Sequence, residues 1–347
     1  MAEDKEAIQA RLLSNISNEY DKTDGSFIYD IEKPVAIELE KLSVRIDEVL
    51  NNGFADTAIG VYLDKVVNEQ GVYRKQATKA TGIVTITGVA GAIINAGELV
   101  ASDSVNYIFI QDGVIPDTKT IDVPVECEVA GTIGNVPVGA IKYYPKTLEG
   151  LQTATNKGAL TNGYDTETDE ALRERYYLKV KTPTTSGNKY HYLNWAKEVT
   201  GVGDAKVIPL WNGNGTVKVI VINSNKRAAD SSLLNSVSKY IEDNRPIGAT
   251  VTVISAIEKP INISVTLVID IQNYAVEEVK QTIESNLIEY FKNIAFKDTY
   301  VSYAKVGNII IESEGVLDYS NLLLNNGTAN IAIANDEVAF LGGITIG

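Results

Sequence analysis

Ile261-Asn-Ile-Ser-Val-Thr-Leu-Val-Ile-Asp-Ile271, followed closely by Val276-Glu-Glu-Val-Lys-Gln-Thr-Ile-Glu-Ser-Asn-Leu287, sets two periods side by side. In the first stretch Ile261, Ile263, Val265, Leu267, Ile269 and Ile271 fall on alternate positions, which is one face of a long strand. In the second, Val276, Val279, Ile283 and Leu287 recur every three or four positions, which is one face of a helix. Neither face is stable in water alone, and each is the natural cover for the other, so the segment reads as α+β. Val306 and Ile310 add a further helix closing at Gly315, and strands are expected near 316–324 and 329–333, completing a unit over 258–347.

The segment upstream repeats the alternation without repeating the sequence. Ser186 precedes an expected helix bearing Leu193, Ala196 and Val199, with Gly201 past its end. Strands at 204–210 and 216–222 flank the turn Asn212-Gly-Asn-Gly215, and Leu233, Val237, Tyr240 and Ile241 mark a helix before a strand at Val251 and Val253. This is a first α+β unit, 158–257. Its opening is rich in turn residues from Gly158 to Gly163, after which Thr168 is expected to cap a helix whose first turn carries Asp169 and Glu170. Asp165 or Glu167 is expected to pair with Arg173 or Arg175, so that Gly163, Asp165, Glu167, Thr168 and Arg173 form a structural turn and helix cap. Residues 77–157 have another character: strand-sized runs such as Gly82–Thr87, Tyr107–Ile110 and Ile121–Val129, cut by glycines, predict a small β-domain.

Residues 1–76 read as helices. Ile8, Leu12 and Ile16 stripe the first, and Ile59, Leu63, Val66 and Val67 stripe the third before Gly71. Between them, from Pro34 at an expected first turn, Val35, Leu39, Leu42, Ile46 and Val49 are spaced 4-3-4-3, a coiled-coil seam over 34–50. Two heptads are too few to associate alone, so the stripe either packs on its own neighbours or is offered to another chain. Packing on neighbours is the commoner outcome for such a stripe; Ile37 and Val44 add a second apolar edge, which keeps a partner interface at Val35, Leu39, Leu42, Ile46 and Val49 as the alternative.

Chemistry is harder to find. The 347 residues suffice for two or three domains, and 31 basic against 45 acidic side chains give a net charge of −14, which repels phosphate backbones and anionic lipid. No apolar run approaches a membrane span, and the start Met1-Ala-Glu-Asp-Lys5 lacks an apolar signal core, so a soluble cytoplasmic product is expected. One cysteine, Cys127, and one histidine, His191, supply neither a disulfide nor a zinc site, and Cys127 in an alternating strand reads as core. Asp21, Asp24, Gly25 and Glu32 imitate a calcium loop but place Ser26 where its glycine belongs. The carboxylates Asp165, Glu167, Asp169 and Glu170 sit where a helix start explains them without catalysis, and Gly213 with Gly215 lacks the lysine of a phosphate loop. No cofactor, metal or catalytic residue is expected. The tyrosine-rich stretches around Tyr176-Tyr177 and Tyr190–Trp195 suit core or protein interface.

From about residue 20 onward the chain resembles the baseplate J-like proteins, wedge subunits of contractile phage tails and of phage-tail-like bacteriocins. The marks are Tyr20-Asp21, Gly25-Ser26, Phe54-Ala-Asp-Thr-Ala58, Leu63-Asp64 and Gly71-Val-Tyr-Arg74 near the N-terminus. They continue as Ala130-Gly131, Gly134-Asn135, Thr155-Asn156, Asn162-Gly163, Thr168-Asp169-Glu170, Leu172-Arg173 and Arg175. Val199–Val202, Arg245-Pro246, Gly315-Val316 and the ending Asn330–Ile333 with Leu341–Ile344 complete them. Asn162-Gly163 departs from the two glycines common in the family. The resemblance implies a non-enzymatic wedge subunit that forms the ring around the tail hub, with a second copy of itself and another wedge protein, and relays the trigger for sheath contraction. It implies neighbours among hub, spike and sheath proteins, no nucleic acid or membrane, and a place in a virion or tailocin particle assembled in the bacterial cytoplasm. The alternative is a surface glycan-binding or glycan-cleaving protein, against which the missing signal peptide counts.

Overall fold

The computed structural model describes residues 3–182 and 187–347. Ser186, expected before a helix, lies outside the described residues. The chain is a mixed α+β protein of two compact units, one built from the residues up to Arg74 with Glu167–Lys181, the other from Lys75–Thr166 with Thr182–Gly347.

The first unit holds α1 (Lys5–Ser14), α2 (Phe27–Asn52), α3 (Gly60–Asn68) and α4 (Asp169–Lys181). Asp4 caps α1 by accepting from the Ala7 amide at 2.8 Å, and Ser26 caps α2 by accepting from the Tyr29 amide at 3.3 Å. The seam helix therefore starts at Phe27, not at Pro34, which correctly continues a helix already under way. Proline has no amide to give the Asp30 carbonyl, but both residues are exposed, so that carbonyl is not sealed away from solvent. The helix α1 runs antiparallel along α2: Glu3 N donates to Ser43 Oγ, Lys5 N to Glu40 Oε1 and Gln9 Nε2 to the Tyr29 carbonyl. Ile8 and Ala36 are buried between them. A second small core joins Ala55, Ala58, Leu63, Val67 and Val72 to Leu172 of α4. A boundary at 158 would assign α4 to the domain that follows it, yet Leu172 and its arginines tie it to the N-terminal helices.

The second unit begins with β1 (Lys79–Gly88), β2 (Ile93–Ile94), β3 (Leu99–Ala101), β4 (Asn106–Phe109), β5 (Gly113–Val114), β6 (Thr120–Ala130) and β7 (Leu151–Thr155). Five of them form an antiparallel sheet in the order β3-β4-β6-β1-β7, and β2 pairs with β5. Inward alternation buries Val84, Ile86, Tyr107, Phe109, Val123, Val125 and Cys127.

Next come α5 (Lys189–Glu198), β8 (Val202–Pro209), β9 (Thr216–Asn223), α6 (Ser231–Asn244) and β10 (Thr250–Ser255). The sheet order is β10-β9-β8, antiparallel on the hairpin side and parallel where α6 makes the crossover. Val219 and Val221 face Tyr192, Ala196, Leu233, Val237 and Ile241 of the two helices. Ile220 and Ile222, on the other face, pack with Ala256, Ala295 and Val338.

The final domain comprises β11 (Ile257–Ile269), α7 (Val276–Ile294), β12 (Tyr300–Val301), α8 (Tyr303–Ile311), β13 (Val316–Leu324), β14 (Ile331–Ala332) and β15 (Glu337–Ile346). Its sheet is β13-β11-β15, with β15 parallel to β11. Ile261, Ile263 and Val265 meet Val279, Ile283 and Leu287, the two periods of the sequence closing on each other. Ile271 lies beyond the strand and is exposed, and the expected strand near 329–333 is only the short β14 paired with β12. The sequence does not announce β15, because Gly342-Gly343 interrupts its apolar pattern.

Candidate assembly interface

Val35, Leu39, Leu42, Ile46 and Val49 all point away from α1 and into solvent, with Leu42 at 52% and Val49 at 72% of full exposure. Ile37 is half-buried and Val44 exposed. Because α2 starts early, the stripe also gains Phe27 and Ile31, both exposed. Its spacing is 4-4-4-3-4-3 from Phe27 to Val49, a row of about 33 Å at 1.5 Å per residue. Burial of each such side chain is worth about 1.5–3 kcal/mol, so leaving seven uncovered on one helix is costly unless another surface meets them. Sequence reasoning missed Phe27 and Ile31 by starting the helix at the proline; Ser26 before Phe27 was the available signal.

The turn and cap residues hold their parts of the chain in different ways. Thr168 Oγ1 accepts from the Ala171 amide at 3.3 Å, the position a helix cap takes. Glu167 meets Arg175 through two hydrogen bonds of 2.9 and 2.7 Å, with the side chains only 9% and 10% exposed. Arg175 also donates to the Tyr73 carbonyl, and Arg173 donates to the carbonyls of Ala55 at 2.6 Å and Ala58 at 2.8 Å. Arg74, which sequence reasoning did not single out for a role, is the third clamp. It donates to Asp64 at 2.7 Å, to Asp169 at 2.5 Å and to the Glu167 carbonyl at 2.7 Å. The Gly60 amide first, and the Arg74 guanidinium after it, hold the Asp169 carboxyl below its usual range. Burial works against the charge on Arg74, but Asp64 and Asp169 outweigh it and raise its pKa. Three planar guanidinium groups thus bind α4 to the loops around α3 by bidentate and carbonyl-directed bonds.

Asp165 and Gly163 belong to the other unit. Asp165 accepts from the amide and hydroxyl of Thr132, both at 2.8 Å. Gly163 exchanges two hydrogen bonds with the Asn135 side chain, and a Cβ there would lie 2.5 Å from the Gly131 carbonyl, so only glycine fits. Asn162 exchanges hydrogen bonds with the amide and hydroxyl of Thr81, which accounts for an amide where a second glycine is common.

The remaining candidates are engaged in structure. Asp21 accepts from the amide and hydroxyl of Thr23, which lower its pKa and turn the loop that resembled a calcium site. Cys127 is fully buried, and His191 accepts from the Gly187 amide while stacking on Trp195. Among the described residues no group of three or more His, Cys, Asp or Glu is placed to hold a metal, and no helix is long and apolar enough to cross a membrane.

Comparison with known proteins matches three consecutive models to this chain: the baseplate J-like protein barrel domain at residues 83–163, the baseplate J-like central domain at 184–255 and the baseplate J-like protein C-terminal domain at 261–347. Protein XkdT of the phage-like element PBSX of Bacillus subtilis strain 168 is 38% identical over 349 residues, covering 98% of this chain and 97% of that protein. The baseplate protein gp47 of Escherichia phage Mu is 32% identical over 210 residues, 55% of this chain and 57% of the phage protein. A solved structure of the anti-feeding prophage baseplate, 6-fold symmetrised, contains a chain with 9% identity and a TM-score of 0.40, covering 97% of this chain and 89% of that one.

Proposed function

The chain belongs to the baseplate J-like protein family, and from that premise we propose that it is a structural wedge subunit of a contractile tail or tailocin baseplate. In this reading it joins a second copy of itself and another wedge protein in the ring around the hub, lies near spike and sheath proteins, and passes on the trigger for sheath contraction. It assembles in the bacterial cytoplasm and performs no catalysis.

The observation that carries the reading is the uncovered stripe from Phe27 to Val49. An apolar row of this length on a helix is the shape that helices of other chains fill, as knobs of one enter the spaces of the next. The capped α2 and the arginine clamps around α4 keep the unit that bears it folded without using the stripe as core.

The test is Leu42→Asp in a cell that makes the rest of the particle. Leu42 is half-exposed, so the isolated chain keeps its circular dichroism and melts within about 0.5 kcal/mol of the parent. In the particle the aspartate would be buried without a partner, and the variant should be missing from purified particles. A variant that unfolds makes the stripe an internal core, and normal incorporation removes its role between chains.

A further inference from the structure

The β8–β9 hairpin and the loop between α6 and β10 meet at one end of the three-stranded sheet. The Thr250 amide donates to the Gly215 carbonyl at 2.7 Å, and a Cβ on Gly215 would stand 3.3 Å from the Gly248 carbonyl. Large apolar side chains stand uncovered on both loops: Leu210 at 62% exposure, Trp211 at 39% and Ile247 fully exposed.

Leu210 sits at φ 55°, a backbone region that a leucine avoids and that asparagine or glycine enters easily. It is held there firmly. Its amide donates to the Thr216 carbonyl at 2.7 Å, its carbonyl accepts from the Gly213 amide, and Thr216 Oγ1 joins the Asn212 amide to the Gly213 carbonyl. The left-handed backbone closes the hairpin, a task asparagine or glycine would do at less cost, yet the position carries a leucine whose side chain is 62% exposed; strain of this kind gathers at functional sites. A rigid loop that presents apolar side chains also loses little entropy on docking.

One cation accompanies the loops. The Lys218 ammonium lies 3.9 Å from the Trp211 ring centroid and makes no ion pair among the described residues. Arg245 nearby is already occupied by Glu242 and the Ala249 carbonyl.

We propose that Leu210, Trp211, Ile247 and Lys218 form a docking knuckle that enters an apolar pocket on another protein subunit of the particle, with a carboxylate on the pocket rim meeting Lys218. The Lys218 cation beside Trp211 selects a single carboxylate at the point of contact. The net charge of −14 disfavours the other surface that exposed Leu, Trp and Ile could enter, an anionic membrane. The knuckle is in a different unit from the α2 stripe and is argued without it. It rests on the chain being a particle component, and recovery of the parent chain in purified particles checks that separately.

The experiment treats purified particles and the free chain with a carbodiimide, which joins an amine to a carboxylate in contact with it as an amide, with the loss of water, and maps the joined peptides by mass spectrometry. Lys218 should be joined to an Asp or Glu of a different subunit in particles and not in the free chain. Leu210→Asn should raise the melting temperature of the free chain by relieving the backbone, and should lower incorporation about tenfold or more, as loss of a docking anchor does. Ile247→Asp, at a fully exposed site, should leave melting unchanged and lower incorporation too. The proposal fails if Lys218 couples only within its own chain or not at all, if Leu210→Asn lowers the melting temperature, or if both variants incorporate like the parent. It also fails if the free chain binds phosphatidylglycerol vesicles with a blue shift of Trp211 emission in a Trp195→Phe background. If the parent chain itself is absent from particles, the wedge reading fails and this docking with it.

Discussion

The C-terminal domain closes fifteen buried apolar residues between the β13-β11-β15 sheet and helices α7 and α8, whereas the cluster around Leu63 and Leu172 in the N-terminal unit closes only six. The N-terminal unit does not lack apolar residues; it carries them outside, from Phe27 to Val49. Its cohesion comes from caps and from Arg74, Arg173 and Arg175, groups that need precise partners but no large core. The C-terminal domain turns its apolar faces inward, while the N-terminal unit keeps one apolar face free and is fastened by polar bonds.

If this contrast is right, breaking a clamp should hurt the N-terminal unit as much as opening a cavity hurts the C-terminal domain. Arg175→Met removes the two hydrogen bonds that the buried Glu167 accepts from it, together with the bond to the Tyr73 carbonyl, and should cost about 3 kcal/mol, the order expected when a buried ion pair is broken. Hydrogen exchange should speed up in α3 and α4 while β11 and α7 keep their protection. Leu287→Ala empties a site in the C-terminal core and should cost about 2–5 kcal/mol in chemical denaturation, with the opposite pattern of exchange. Equal loosening of both units by either variant would erase the distinction.

Much of the distinction was legible in the chain itself. The strand Ile257–Ile269 and helix Val276–Ile294 announce themselves because their periods of 2 and 3.6 persist for many residues, and burial follows period. The α+β class and the family resemblance read from the chain agree with the fold and with the matched domains. Other features are not encoded locally. Pro34 looked like a helix start because a proline inside a helix usually ends it, and only its exposure lets α2 run through. Arg74 is unremarkable in sequence, and its role appears only when Asp64 and Asp169, 105 residues apart in number, are brought to its two sides. The strand Glu337–Ile346 is hidden by two glycines and exists because β11 offers it an edge.

Smaller changes sharpen the contrast. Thr168→Ala removes the hydroxyl that accepts from the Ala171 amide and should cost about 1 kcal/mol, read as a lower melting temperature with partner binding intact. Should partner binding fail at unchanged stability, Thr168 is a contact residue instead. Acid should act in the same place more weakly. Asp169 has its folded pKa below the unfolded value, so its contribution is complete above the unfolded value near 3.8 and is lost as the pH falls through the folded one. Partial exposure keeps that contribution under about 1 kcal/mol. Exchange at the start of α4 should therefore rise from pH 5 toward about pH 3 more than exchange in β11, corrected for the intrinsic rate; Asp169→Asn should remove the difference.

The central claim is that the exposed stripe of α2 is covered by another chain in the assembled particle. Hydroxyl-radical footprinting measures this directly, comparing oxidation of Phe27, Leu39, Leu42 and Ile46 in the free chain and in purified particles, with the exposed Ile271 of the C-terminal domain as the reference. The stripe should react readily in the free chain and be strongly protected in the particle, along its whole length. Equal oxidation in the two states would contradict the account.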